Sequence, residues 1–132
     1  MSARESANAE RVRELYELAK RGDHRALRAL LHDDVRWEPA REGAWKPCEN
    51  ADDVIRTIMW RAGITRLRPA ETIDLGDRVL VELRGRGVER LGAKGLFPRL
   101  FQIIVLRDGK ITSMRDYPRR SDALEAAGLR RS

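Results

Sequence analysis

Cysteine is nearly missing from this 132-residue chain: Cys48 stands alone, so no internal disulfide can form and a reducing, cytoplasmic setting is expected. No stretch approaches the ~18 consecutive apolar residues of a membrane span, so no membrane association is expected. The opening MSARESANAER lacks the apolar core of a signal peptide, and export is not expected. Internal repeats, low-complexity tracts and linkers rich in proline or glycine are all missing, which points to one domain over residues 1–132. Histidine is scarce too. His24 and His32 lie in or beside one short helical segment, without metal-ligand spacing to each other or to Cys48. No phosphate-cradling glycine loop occurs, so neither a metal nor another cofactor is expected. A Cys48–His32 nucleophile pair is left open, against the alternative that Cys48 is simply packed.

What the chain has in quantity is charge: 36% charged residues and a net charge of +6. Arginine supplies nearly all of the positive charge but is scattered among 21 acids, whereas a nucleic-acid surface would cluster its cations with aromatics between them. Arg84-Gly85-Arg86-Gly87 resembles a fragment of an arginine–glycine tail, yet it continues a strand pattern and never repeats. A solvated basic surface without a nucleic-acid partner is the expectation.

Hydrophobic periodicity then divides the chain. Val12, Leu15, Tyr16 and Ala19 share one face of a helix from about Ser6 to Arg21, which Gly22 ends. Asp23 caps a short second helix carrying Leu27, Leu30 and Leu31. Val35–Trp37 reads as a brief strand stopped by Pro39, and 40–49 as an irregular loop. Asn50 caps a third helix with Val54, Ile55, Ile58, Met59 and Ala62 buried and Gly63 at its end. Two hairpins follow, turning at Gly76-Asp77 and Asp108-Gly109. Regular pairing sets Val81 against Thr72, Leu83 against Ala70, Val105 against Thr112, Ile103 against Met114 and Phe101 against Asp116. Ser121 caps a last short helix that ends at Gly128. The fold class is α+β, with three helices, a four-stranded antiparallel meander and a terminal helix.

Arg21-Gly22-Asp23, the run Leu30-Leu31-His32-Asp33-Asp34-Val35 and the segment DGKITSMRDY resemble the SnoaL-like branch of the nuclear-transport-factor-two-like superfamily. The resemblance covers nearly the whole chain in order and spacing. It implies a cone-shaped barrel, with three N-terminal helices on a strongly curved antiparallel sheet around a central pocket. That superfamily hosts isomerases, cyclases, epoxide hydrolases and binding domains, so each functional position needs its own check. Against limonene-epoxide hydrolase, the last-strand aspartate falls on Asp116. The partner arginine and aspartate fall on Leu83 and Gly85, and the water-positioning pair on Trp37 and Pro39. Against ketosteroid isomerase, the first-helix tyrosine aligns with Leu15, one residue short of Tyr16. Its acidic donor aligns with Phe101 or Gln102, and Glu38-Pro39 sits one residue short of its base. Polyketide cyclases of the branch need only a pocket acid, which Asp116 supplies.

Asp116 is therefore the candidate catalytic acid or base, expected among aliphatic side chains that raise its pKa, unless Arg115 or Arg119 pairs with it. Trp37, Trp45, Val81, Leu83, Phe101, Ile103 and Met114 are expected to line an apolar ligand pocket. Trp60 suits core packing. Glu82 and Arg84 read as an outer-face charge pair near Glu71. The functional expectation is a domain that binds a small apolar or cyclic organic ligand. Its rival is a cofactor-independent lyase, isomerase, cyclase or epoxide-hydrolase-like enzyme using Asp116. A homodimer is also expected, through an outer sheet face bearing Ile104, Leu106, Ile111, Ile73 and Leu80.

Overall fold

The computed structural model describes residues 3–60, 66–85, 88–96 and 98–129. Ala62 and Gly63, and Arg86-Gly87 of the arginine–glycine run, lie outside the described residues, as does the side chain of Trp60. The elements run α1 (Ala3–Arg21), α2 (His24–Leu30), β1 (Leu31–Glu38), α3 (Ala51–Trp60), β2 (Arg68–Asp74), β3 (Arg78–Arg84), a 3-10 turn (Val88–Leu91), β4 (Leu100–Arg107), β5 (Lys110–Tyr117) and α4 (Arg120–Ala126). No described helix is long and apolar enough to cross a membrane.

Local chemistry sets the helix ends. Gly22 takes φ +69° after α1, and Asp23 Oδ1 accepts the Ala26 N–H at 3.1 Å to open α2. Ahead of α3 the Asp53 N–H donates to Asn50 Oδ1, and Asp53 Oδ2 accepts the N–H of Glu49, the residue before the cap. The expected cap at Ser121 is corrected: Ser121 lies inside α4, which opens at Arg120, and Arg119 in the cap position makes no side-chain cap bond.

The strands form one sheet in the order β1-β5-β4-β3-β2. β1 joins it parallel to β5 and all other neighbours are antiparallel. The expected barrel is corrected to an open sheet, because β1 and β2 are its two edges. The brief strand expected at Val35–Trp37 is eight residues long and stands between α2 and α3, so the sheet gains a fifth strand.

Register is where the structure departs most from regular pairing. Asp108 and Gly109 both take positive φ, as a tight two-residue turn requires. Leu106 pairs with Ile111 but Val105 pairs with Ser113, leaving Thr112 as an extra residue whose hydroxyl donates to the Val105 carbonyl at 3.2 Å. That bulge sets Ile104 against Met114, Gln102 against Asp116 and Phe101 against Tyr117. Every side chain of β4 therefore lies on the face opposite to the expected one. A second bulge, at Ala70, pairs Leu83 with Pro69, while Thr72 faces Val81 as expected.

The main core sits between α1, α2 and α3 and one sheet face. It includes Val12, Leu15, Ala19, Val54, Ile58, Val81, Leu83, Ile104, Leu106, Ile111 and Met114. Ile104, Leu106 and Ile111 are thus interior, which removes three of the five residues from the expected dimer face. A second cluster occupies the other face, where Leu80, Phe101 and Ile103 pack with Ala123 and Ala127 around α4. Asn8 Nδ2 donates to the Gly76 carbonyl at 2.7 Å, tying α1 to the β2–β3 turn.

Candidate active site around Asp116

β1 and β5 run side by side with Trp37 opposite Met114, so the Trp37 indole reaches along the core face toward Asp116. β4 brings Gln102 directly opposite Asp116. Tyr16 arrives from α1, on the helix face that buries Val12, Leu15 and Ala19. These four side chains join into one hydrogen-bonded chain. Trp37 Nε1 and Gln102 Nε2 each donate to Asp116 Oδ1 at 2.8 Å, and the Tyr16 hydroxyl donates to Gln102 Oε1. Asp116 Oδ2 is buried without a hydrogen-bond partner among the described residues.

Asp116 is 1% exposed. Burial pushes its carboxyl from 3.8 up to about 7, against the opposing pull of the Trp37 and Gln102 hydrogen bonds. The phenol of Tyr16 is also held well above its ordinary value, first by burial and then by the charge on Asp116. Neither arginine suggested as a partner reaches the carboxylate: Arg119 bonds Asp122, and Arg115 lies over the Tyr117 ring.

Of the seven expected pocket residues, Trp37 and Met114 line a small cavity together with Leu15, Tyr16, Ile58 and Gln102; Asp116 is not in its wall and meets it through the side chains of Trp37 and Gln102. The volume of the cavity is about 10 Å³. Trp45 packs edge-to-face on Trp37, with ring centroids 4.8 Å apart. Its own Nε1 is buried without a partner among the described residues, and its ring borders an open cleft of about 720 Å³ whose walls include Glu38, Glu42, Lys46 and Arg115. Val81 and Leu83 belong to the same core without lining the small cavity. Phe101 and Ile103 are corrected: the bulge at Thr112 turns them to the outer face beneath α4.

Two members of the network escaped the sequence reading, for different reasons. Tyr16 stands one residue beyond the position that alignment with the isomerase would demand. Gln102 was hidden by the assumption of unbroken pairing, although one amide inside the apolar run LFQIIVL was itself a signal.

Cys48 and His32 do not meet in a nucleophile pair. The Cys48 thiol lies 3.2 Å from Thr57 Oγ1 and burial raises its pKa, whereas the exposed His32 accepts the Asp34 N–H on Nδ1. Glu82 and Arg84 form the expected outer-face pair, at 2.6 Å, but Glu82 is buried. Arg99 and Arg120 also approach it, and Arg120 bridges to Glu71.

Among solved structures, a nuclear-transport-factor-two-like protein of unknown function from Mesorhizobium loti is similar, with a TM-score of 0.70 and 18% identity over 90% of this chain and 96% of that one. Another, from Burkholderia pseudomallei, gives 0.63 and 24% identity over 95% and 97%. An LEH-like epoxide hydrolase from M. tuberculosis gives 0.63 and 18% identity over 92% and 90%. These likenesses carry the fold alone. No curated protein matches. The SnoaL-like domain family, however, matches residues 12–114, from the middle of α1 into β5. The chain belongs to the SnoaL-like family.

Proposed function

We propose that this chain is an acid–base enzyme acting on a small, uncharged organic substrate, with Asp116 as the group that gives or takes the proton. One observation carries this reading: a fully buried carboxyl has one oxygen held by two N–H donors and the other left without a partner among the described residues. A group that ionises near neutrality serves as acid and base with similar ease, and burial brings Asp116 to about 7. The reaction classes open to such a site are those of a lyase, isomerase, cyclase or epoxide hydrolase. An uncharged substrate follows from the lining of the cavity, which is apolar apart from Tyr16, Gln102 and Trp37. A charged ligand there would lose its hydration without gaining a counter-ion.

Catalysis by a lone carboxyl would lack polar support, and here Trp37 and Gln102 donate to Asp116 while Tyr16 donates to Gln102. The size of the cavity bears equally on the enzyme and on a binding domain without turnover. A cavity of about 10 Å³ has room for about one water, and ligand sites are usually tens of times larger. Either reading therefore requires the apolar wall to part as an organic molecule enters. A lone buried Cys48 fits a reducing, cytoplasmic setting for both.

The test is a screen of uncharged epoxides, enones and cyclic ketones, monitored by mass spectrometry with wild type and Asp116→Asn side by side. Turnover that vanishes in the variant, with a rate profile turning near neutral pH, is the expected result. Turnover that survives Asp116→Asn would remove the assignment. Binding of the same compounds without turnover would leave the binding domain as the better reading.

A further inference from the structure

Trp37 and Gln102 each direct an N–H at the same oxygen of Asp116, at 2.8 Å. A carboxyl oxygen has two lone-pair directions, so two donors fill Oδ1 and leave Oδ2 as the place for a proton. The indole nitrogen can only donate, which makes the Trp37 contact one-way. The Gln102 amide is different, because a half-turn would present its carbonyl to Asp116 instead of its NH2. The Tyr16 hydroxyl, donating to Gln102 Oε1, opposes that half-turn. Rotation would set the amide carbonyl against a carboxylate oxygen and take from Tyr16 its acceptor in a buried site.

We propose that Tyr16 and Gln102 are positioning residues: Tyr16 locks the Gln102 amide so that it donates to Oδ1, and this confines the exchangeable proton of Asp116 to Oδ2. The inference rests on the reading of Asp116 as the proton-transfer group and adds which of its atoms reacts. When Asp116 acts as an acid, the Oδ2–H bond breaks, its electron pair stays on Oδ2, and the proton passes to an oxygen of the substrate. When it acts as a base, Oδ2 takes a proton from carbon or water, and the electron pair of the broken bond remains with that partner. Oδ1 stays hydrogen-bonded to both donors throughout, so no protein side chain rearranges during transfer. Two other titratable groups sense the charge on Asp116, Tyr16 from α1 and Cys48 from the loop before α3. The pKa of each is raised, so both stay neutral while Asp116 titrates.

The experiment follows the Asp116 carboxyl carbon by NMR in protein labelled with 13C-aspartate, using Asp116→Asn to assign the signal. A donor to the charged form lowers a carboxyl pKa, so its loss raises the titration midpoint, by about 1 to 2 pH units for one hydrogen bond to a charged group. Gln102→Met, close in volume and without a donor, is expected to show that full rise. Tyr16→Phe keeps the amide but frees it to turn, and is expected to raise the midpoint by a smaller amount. It is also the gentler change should Gln102→Met fold poorly. A mere packing role for these residues would shift melting temperature in both variants and leave the midpoint where it was, and that result overturns the proposal. A raised midpoint with turnover indifferent to Asp116→Asn upholds the proton placement and removes the enzyme reading. An unmoved midpoint with turnover lost does the reverse.

Discussion

Two carboxylates are buried among the described residues, and the same conservative change should affect them in opposite directions. Asp116 is taken out of water with two N–H donors and no cation beside it among the described residues, so its neutral form is favoured and its pKa is raised from 3.8 to about 7. Between those two values the folded state keeps a proton that the unfolded chain releases. Stability therefore falls as pH rises through that window, by on the order of 4 kcal/mol in total, and levels off above it. Asp116→Asn keeps an acceptor for Trp37 and Gln102 and cannot ionise. The variant is expected to melt at nearly constant temperature across the window and above wild type on its alkaline side. Thermal melts over the acid-to-alkaline range check this, and a variant less stable than wild type at pH 8 contradicts it. Glu82 sits among Arg84, Arg99 and Arg120, whose side chains are about half exposed. Glu82→Gln leaves these cations without their shared partner and is expected to cost about 1 to 3 kcal/mol in denaturant unfolding at neutral pH.

At the scale of elements, Gly85 ends β3 with φ +122°, and a Cβ there would stand 2.5 Å from the Arg66 carbonyl oxygen. Gly85→Ala adds an unfavourable backbone conformation to a contact with rigid main chain. A loss of about 1 to 3 kcal/mol in chemical unfolding is expected, and a loss below about 0.5 would mean that the two segments separate easily. The glycine itself was visible in the sequence, but as part of an arginine–glycine run its backbone role was not. Much else was legible where the cause is local. The α1 stripe, the caps at Asp23 and Asn50 and both turns depend on residues a few positions apart, and the structure has them all. Register depends on one residue more or less in a strand, and no rule of alternation announces a bulge. Thr112 is an ordinary strand residue by propensity, yet as the extra residue it moves Gln102 into the site and Phe101 and Ile103 out of it. Asp116 and Trp37 kept their places on β5 and β1; the error lay in the strand opposite.

For the molecule as a whole, the same bulge decides what the outer sheet face offers a partner. The expected homodimer relied on Ile104, Leu106 and Ile111, all of which the structure buries under the helices. What remains on the outer face is Leu80, Phe101 and Ile103, with Ile73, Leu75 and Tyr117 at its margins, and α4 packs there through Ala123, Leu124 and Ala127. Small residues on α4 let the helix lie close to the sheet, and the face is covered within one chain. Leu96 and Leu129 are the large apolar side chains left exposed among the described residues, too little to drive a stable dimer through this face. Sedimentation equilibrium at tens of micromolar is therefore expected to give the monomer mass of 15.1 kDa. Ala123→Asp places a charge against the apolar side chains of Phe101 and Ile103 beneath α4. That variant is expected to lift the helix, bind a hydrophobic dye and associate at the same concentration. A wild-type dimer, or a variant that stays monomeric and binds no dye, would mean that α4 is not what satisfies the face.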